Sequence, residues 1–163
     1  MRLEFIWIGK TKDSSIADIE GRYLKRIGHF SPVDVVLIGE QNRRDKHQRR
    51  RAARQETKLV EKHLGSGKLL VVLDERGDQL SSVELADWLR SCKEHGMTSV
   101  TFLVGGHAGV PAQIRQQAGR TLSLSRMTLT HEMARIVLLE QLYRALMILS
   151  GSPYHRSAHP MEV

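Results

Sequence analysis

The chain has 163 residues, of which 40% are apolar and 26% charged, with a formal charge of +7 and one cysteine, Cys92. That length is enough for one domain with its own core, and a lone cysteine excludes an intramolecular disulfide or a cysteine-based metal cluster. The basic excess fits a polyanionic partner, because cations that neutralise phosphates release counterions and strengthen binding.

Arg2 to Gly9 (RLEFIWIG) reads as a buried strand ending in a Gly and a Lys-Thr-Lys turn. Ser15, with Asp18 three residues on, resembles a helix start, and that helix is expected to stop at Gly28. Val33 to Ile38 is a second strand. Then comes Arg43 to Arg54 (RRDKHQRRRAAR), in which seven of twelve residues are Arg or Lys. It merges into a helical stretch that ends near Leu64.

Leu69 to Asp74 (LLVVLD) is a nearly continuous apolar run, the pattern of a parallel strand covered on both faces. Ser81 and Glu84 form a capping box for a helix to about Glu94, with Cys92 as a small core residue on it. Val100 to Val104 is the fourth strand, Pro111 suits the first turn of a short helix to Ala118, and Thr121 to Leu124 is a brief fifth strand. Thr130 caps a final helix that stops at Gly151, with Glu132 well placed in its first turn. The alternation of strands and helices predicts an α/β fold, a mainly parallel sheet with helices on both faces. The whole of 1–163 reads as one domain, with 157–163 as a flexible tail.

In such sheets ligands bind beyond the carboxyl ends of the strands. Three segments leave strand ends there: Leu73 to Gly77, Gly105 to Gly109, and Ser125 to Leu129. Their glycines and small hydroxyl residues let a ligand approach the backbone closely. A tight strand-to-helix turn would use the same glycines. Asp74 is placed to accept hydrogen bonds from a ribose or an ammonium group. The spacing is not G-x-G-x-x-G, and the pattern G-x-x-x-x-G-K-[ST] is missing, so a nicotinamide enzyme and a P-loop NTPase are both disfavoured.

The last helix is apolar nearly all round, which implies burial on several sides, by the sheet on one and another subunit on the other. Arg135, Glu140 and Arg144 within it must be paired or face a site; Glu140 and Arg144 are spaced to pair with each other. His131 at its start is expected to bond locally. Beyond it, Tyr154, His155 and Arg156 offer a stacking ring, a proton acceptor near neutral pH and a phosphate fork, which suits RNA recognition. The basic run Arg43 to Arg54 reads either as a phosphate-contacting helix or as a solvated face. The eight histidines are scattered and no metal site is expected. Strand-like sequence follows Met1 directly, without a signal-peptide pattern, and no apolar run approaches the ~20 residues of a bilayer span. A cytoplasmic protein without a membrane partner is expected.

GGHAG after a strand, then LSLSRMTLTHEMARIVLLEQLYRA, then GSPYHR, closely resemble the RlmH family of SPOUT methyltransferases. IWIGK at the start and Tyr23-Leu24-Lys25-Arg26 on the first helix fit the same family. The resemblance implies S-adenosylmethionine as methyl donor and, as acceptor, N3 of a pseudouridine in large-subunit (23S) ribosomal RNA. It also implies a homodimer and a C-terminal trefoil knot, which no periodicity would show, since chains almost never thread loops. By the family's pattern the donor lies against Leu73, Gly105 and the stretch Leu124, Ser125, Arg126, Met127, Thr128 and Leu129. Tyr154, His155 and Arg156 help build the methylation site. His155 is the candidate base for the imide proton, and Arg156 or Arg144 would stabilise the anion that develops on the neighbouring carbonyls. Ser157 to Val163 extend the chain past the point where the family usually ends, and His107-Ala108 is an unusual pairing within the glycine loop. Rival readings are a SPOUT enzyme acting on transfer RNA, a non-catalytic RNA-binding protein, and a small-molecule α/β enzyme with an incidental basic surface.

Overall fold

The computed structural model describes residues 1–40, 45–65 and 67–151. Five strands form one sheet: β1 (Arg2–Ile8), β2 (Val33–Ile38), β3 (Lys68–Gln79), β4 (Ser99–Val104) and β5 (Arg120–Ser123). They lie in the order β2-β1-β4-β3-β5, and every pair is parallel. The intervening helices are α1 (Ser14–Gly28), α2 (Lys46–Glu61), α3 (Ser82–Glu94), α4 (Ala112–Gln117) and α5 (His131–Leu149).

Strand alternation divides the core. Leu3, Phe5 and Trp7 of β1, with Phe102 of β4 and Val71 of β3, pack under α1, α3 and α5. Ile6, Ile8, Leu70, Val72 and Leu103 face the other way, against Val60 of α2 and Ile114 of α4. β4 is buried at all six positions, as a central strand covered on both faces must be. Cys92 lies in the first core, and burial pushes its thiol pKa up. Among the described residues no helix is long and apolar enough to cross a membrane.

β5 is shifted one residue towards the N-terminus of its expected range, and two boundaries differ more. α1 is capped by Asp13, not Ser15: the Asp13 carboxylate accepts from the Ser15 and Ile16 amides at 2.8 and 3.1 Å. The Ser15 amide is itself one of the orphan groups that Asp13 satisfies, so Ser15 lies inside the first turn and is not the cap. β3 runs to Gln79, five residues past the apolar run, because its charged second half pairs instead of turning. Leu73 and Asp78 both partner Leu122. The four residues between them therefore bulge out of the ladder with β5, and a Cβ on Gly77 would stand 2.7 Å from the backbone of Thr121 and Leu122. Only a glycine permits that approach.

Candidate active site

The carboxyl ends of β3, β4 and β5 open into a crevice of about 570 Å³. Its floor is Gly105 and Gly106 at the end of β4. Gly109 donates to the Gly106 carbonyl at 2.9 Å and has φ +73°, which closes a tight turn. A Cβ on Gly105 would lie 2.6 Å from the Gly109 carbonyl carbon, so the turn exists only without a side chain there.

The opposite wall comes from the chain after β5, which braces itself. Ser123 Oγ donates to the Ser125 carbonyl at 3.0 Å, and Ser125 Oγ accepts from the Met127 amide at 2.9 Å. Such hydroxyl-to-backbone bonds hold an irregular segment that has no ladder of its own. Thr130 then caps α5 through the Met133 amide at 3.3 Å, and the first residues of α5, His131 and Ala134, complete the wall. His131 has Glu132 at 3.9 Å, a loose local contact.

Of the eight residues expected around a donor, Leu73, Gly105, Leu124, Ser125, Met127, Thr128 and Leu129 line this crevice. Arg126 is exposed and does not line it. Met127, 77% exposed, is an apolar side chain at the rim. Tyr154, His155 and Arg156 lie outside the described residues. Arg144 stands apart from the crevice, its Nε and Nη2 bonded to Glu140 at 3.0 and 2.5 Å, the pairing its spacing predicts.

Asp74 is not available as a ribose or ammonium acceptor. Oδ1 accepts from the Arg76 amide (3.1 Å) and Nε (2.9 Å), and Oδ2 from Arg76 Nη2 (3.0 Å) and Arg115 Nη1 (2.8 Å). A carboxylate offers about four lone-pair positions, and all are filled. Glu75, beside it in the crevice lining, is exposed, and among the described residues its hydrogen bond is a long one, from Thr128 Oγ1 at 3.4 Å. Composition alone does not separate two adjacent acids at a strand end.

Behind the glycine floor stands Glu40, which follows β2. Its Oε1 accepts from the His107 amide at 2.8 Å, and a Cβ on Gly106 would meet it at 2.8 Å. Glu40 fixes the backbone of the loop from outside the crevice, and no motif marks it.

An all-parallel sheet with a glycine-floored crevice at its carboxyl edge defines an α/β enzyme that binds a small, partly polar ligand there. A family model described as "Predicted SPOUT methyltransferase" matches residues 1–155. The chain is 39% identical over 158 residues to the ribosomal RNA large subunit methyltransferase H of Geobacter metallireducens, covering 96% of this chain and all of that one. It is 41% identical over 156 residues to the methyltransferase of the same name from Geotalea daltonii, covering 95% and 99%. Among solved structures, a probable methyltransferase from Bordetella pertussis superposes with a TM-score of 0.59 at 17% identity, over 89% of this chain and 96% of that one. A probable methylase family protein from Haemophilus influenzae gives 0.56 at 12%, over 95% and 70%. At these identities the two structures speak to the fold alone. The chain belongs to the SPOUT methyltransferase family, in the branch of the large-subunit ribosomal RNA methyltransferases H.

Proposed function

We propose that the chain transfers a methyl group from S-adenosylmethionine to N3 of a pseudouridine in large-subunit ribosomal RNA, working as a homodimer. The observation that carries the donor half is the crevice, whose floor a single Cβ at Gly105 would displace and whose size suits a small ligand. Leu73, Gly105 and the wall from Leu124 to Leu129, less Arg126, would hold the donor. Bound there, it supplies a methyl already activated by its sulfonium.

The residues then have to orient the acceptor, since an aligned approach at roughly 3–3.5 Å contributes much of such an acceleration. The pseudouridine N3 carries a proton that must leave, and His155 is the proposed base, with Arg156 on the adjacent carbonyl oxygens. His155→Ala should lower turnover at saturating substrate; turnover near wild type would remove the base role. Arg144, the other candidate for stabilising that anion, would act with its Nε and Nη2 bonded to Glu140.

Support for a dimer comes from α5. Ile136, Val137 and Met147 are only half-buried and are not packed against the core, and Met133 is 42% exposed. An apolar stripe of this kind is what a second copy would cover. The large-subunit RNA assignment comes from the names of the relatives.

The test is transfer of labelled methyl from S-adenosylmethionine to ribosomes from cells lacking the activity, with the product nucleoside identified. Label in N3-methylpseudouridine supports the reading. Label absent despite donor binding would redirect it to transfer RNA, and absence of donor binding as well would leave an RNA-binding protein.

A further inference from the structure

Arg135 on α5 is fully buried, and among the fully buried side chains it is the largest. Burying a guanidinium is costly unless its N–H groups are bonded. Burial pushes its pKa down, while Glu20, Glu132 and Glu40 pull it back up. Its Nη bonds go to one short segment, the end of β1 and the loop that leads to α1, while Nε is buried without a partner among the described residues. Nη2 donates to the carbonyls of Ile8 (3.0 Å) and Gly9 (2.8 Å), and Nη1 to Thr11 Oγ1 (2.9 Å). Its Cζ also sits over the Trp7 ring, 5.4 Å from the ring centre.

The neighbouring carboxylates grip the same segment. Thr11 Oγ1 donates to Glu20 Oε2 at 2.8 Å, and Trp7 Nε1 donates to Glu20 Oε1 at 2.6 Å. The Lys12 amide donates to Glu132 Oε1 at 2.7 Å. Glu40 is engaged with the His107 amide of the crevice floor. The loop is therefore tied at Ile8, Gly9, Thr11 and Lys12 by α1 and α5.

What this leaves outside is specific. Lys10 and Lys12 are exposed, and neither ammonium has a hydrogen bond or ion pair among the described residues. The three glutamates named above bond instead to Trp7 and Thr11 (Glu20), the Lys12 amide (Glu132) and the His107 amide (Glu40). The backbone that carries the two lysines is linked to the crevice through two glutamates. Gly9 abuts Glu40, which bonds the His107 amide, and Glu132 adjoins His131 of the crevice wall.

We propose that the β1–α1 loop is a pre-organised phosphate-binding element for the acceptor RNA. In it Lys10 and Lys12 contact backbone phosphates near the methylated nucleotide, and Arg135 is a positioning residue that holds them there. This rests on the ribosomal RNA reading given above. Lysines act on phosphate as point charges, so a rigid backbone beneath them limits the ordering entropy that binding has to overcome.

The experiment compares the wild-type chain with Lys10→Gln/Lys12→Gln, measuring methyl transfer to unmethylated ribosomes at several salt concentrations. Donor affinity and Tm are followed in parallel. The double variant should raise the ribosome KM about tenfold near 0.1 M salt and make the salt dependence shallower by roughly 1.4, two contacts at about 0.7 each. Its kcat, donor affinity and Tm should match wild type. An unchanged KM and slope would overturn the proposal. Arg135→Lys keeps the charge and loses the fork. If it folds, it should raise the ribosome KM and not the donor Kd, and combining it with the double variant should add nothing; a fully additive loss would overturn the positioning role. If it does not fold, the lysine pair alone decides. Failure of the wild type to transfer any methyl would sink the functional reading, whereas normal transfer by the double variant would sink only this one.

Discussion

The crevice floor around Gly105 and the loop around Thr11 share the carboxyl edge of the sheet, yet the first is made by leaving side chains out and the second by burying a charged one. At Gly105 and Gly106 the backbone comes within reach because no Cβ intervenes. At Ile8 to Lys12 the backbone is held from below by Arg135, Glu20 and Glu132. A small ligand needs close backbone and a shaped space, which glycines supply. A long polyanion needs fixed positive charge at a surface, which a stiff loop supplies. The two regions meet at Glu40, which touches both the Gly9 turn and the His107 amide.

The comparison breaks most readily at the floor. Gly105→Val puts a branched side chain where even a Cβ would stand 2.6 Å from Gly109. Donor affinity should fall roughly a hundredfold or more, about 2.7 kcal/mol, as read by calorimetry. Unchanged affinity would take that loop out of the donor site.

A smaller effect is expected on α2. Because α2 joins two parallel strands, β2 and β3, it starts at the carboxyl edge, and its exposed arginines lie within its first nine residues. Arg50, Arg51 and Arg54 have no ion pair among the described residues, and no acid lies in the first turn of the helix. Cations near a helix start oppose its dipole, and like charges three or four apart repel. Changing all three to Gln should weaken ribosome binding and flatten its salt slope by about two. A slope equal to wild type would mark them as a solvated face.

The smallest effect probes the junction. Glu40→Gln keeps the shape and one acceptor but removes the charge opposite the His107 amide. Donor affinity should fall about fivefold, near 1 kcal/mol, the scale of the difference between a charged and a neutral acceptor. Calorimetry showing no change would separate the two regions.

Much of the crevice was legible in the chain. The glycines after β4 and the hydroxyl-rich stretch before α5 declare themselves by composition, and all expected donor contacts except Arg126 line one space. β2 begins and ends where its apolar run does. Other features were not legible, for physical reasons. The partners of Arg135 lie 124 to 127 residues away, so its burial could be anticipated as a demand for partners and not as a grip on the first loop. Asp74 sits at an apt strand end, yet Arg115, 41 residues on, helps to fill it. The second half of β3 is rich in charge, and only its bulge against β5 explains why Gly77 must be glycine.

The most direct measurement is a crystal structure of the chain with S-adenosylhomocysteine, the product of donor demethylation, bound. The ligand is expected against Gly105 and the segment from Leu124 to Leu129, with the glycine turn unmoved. A ligand bound away from this crevice, or one that enters only after the Gly105–Gly109 turn opens, would contradict the account.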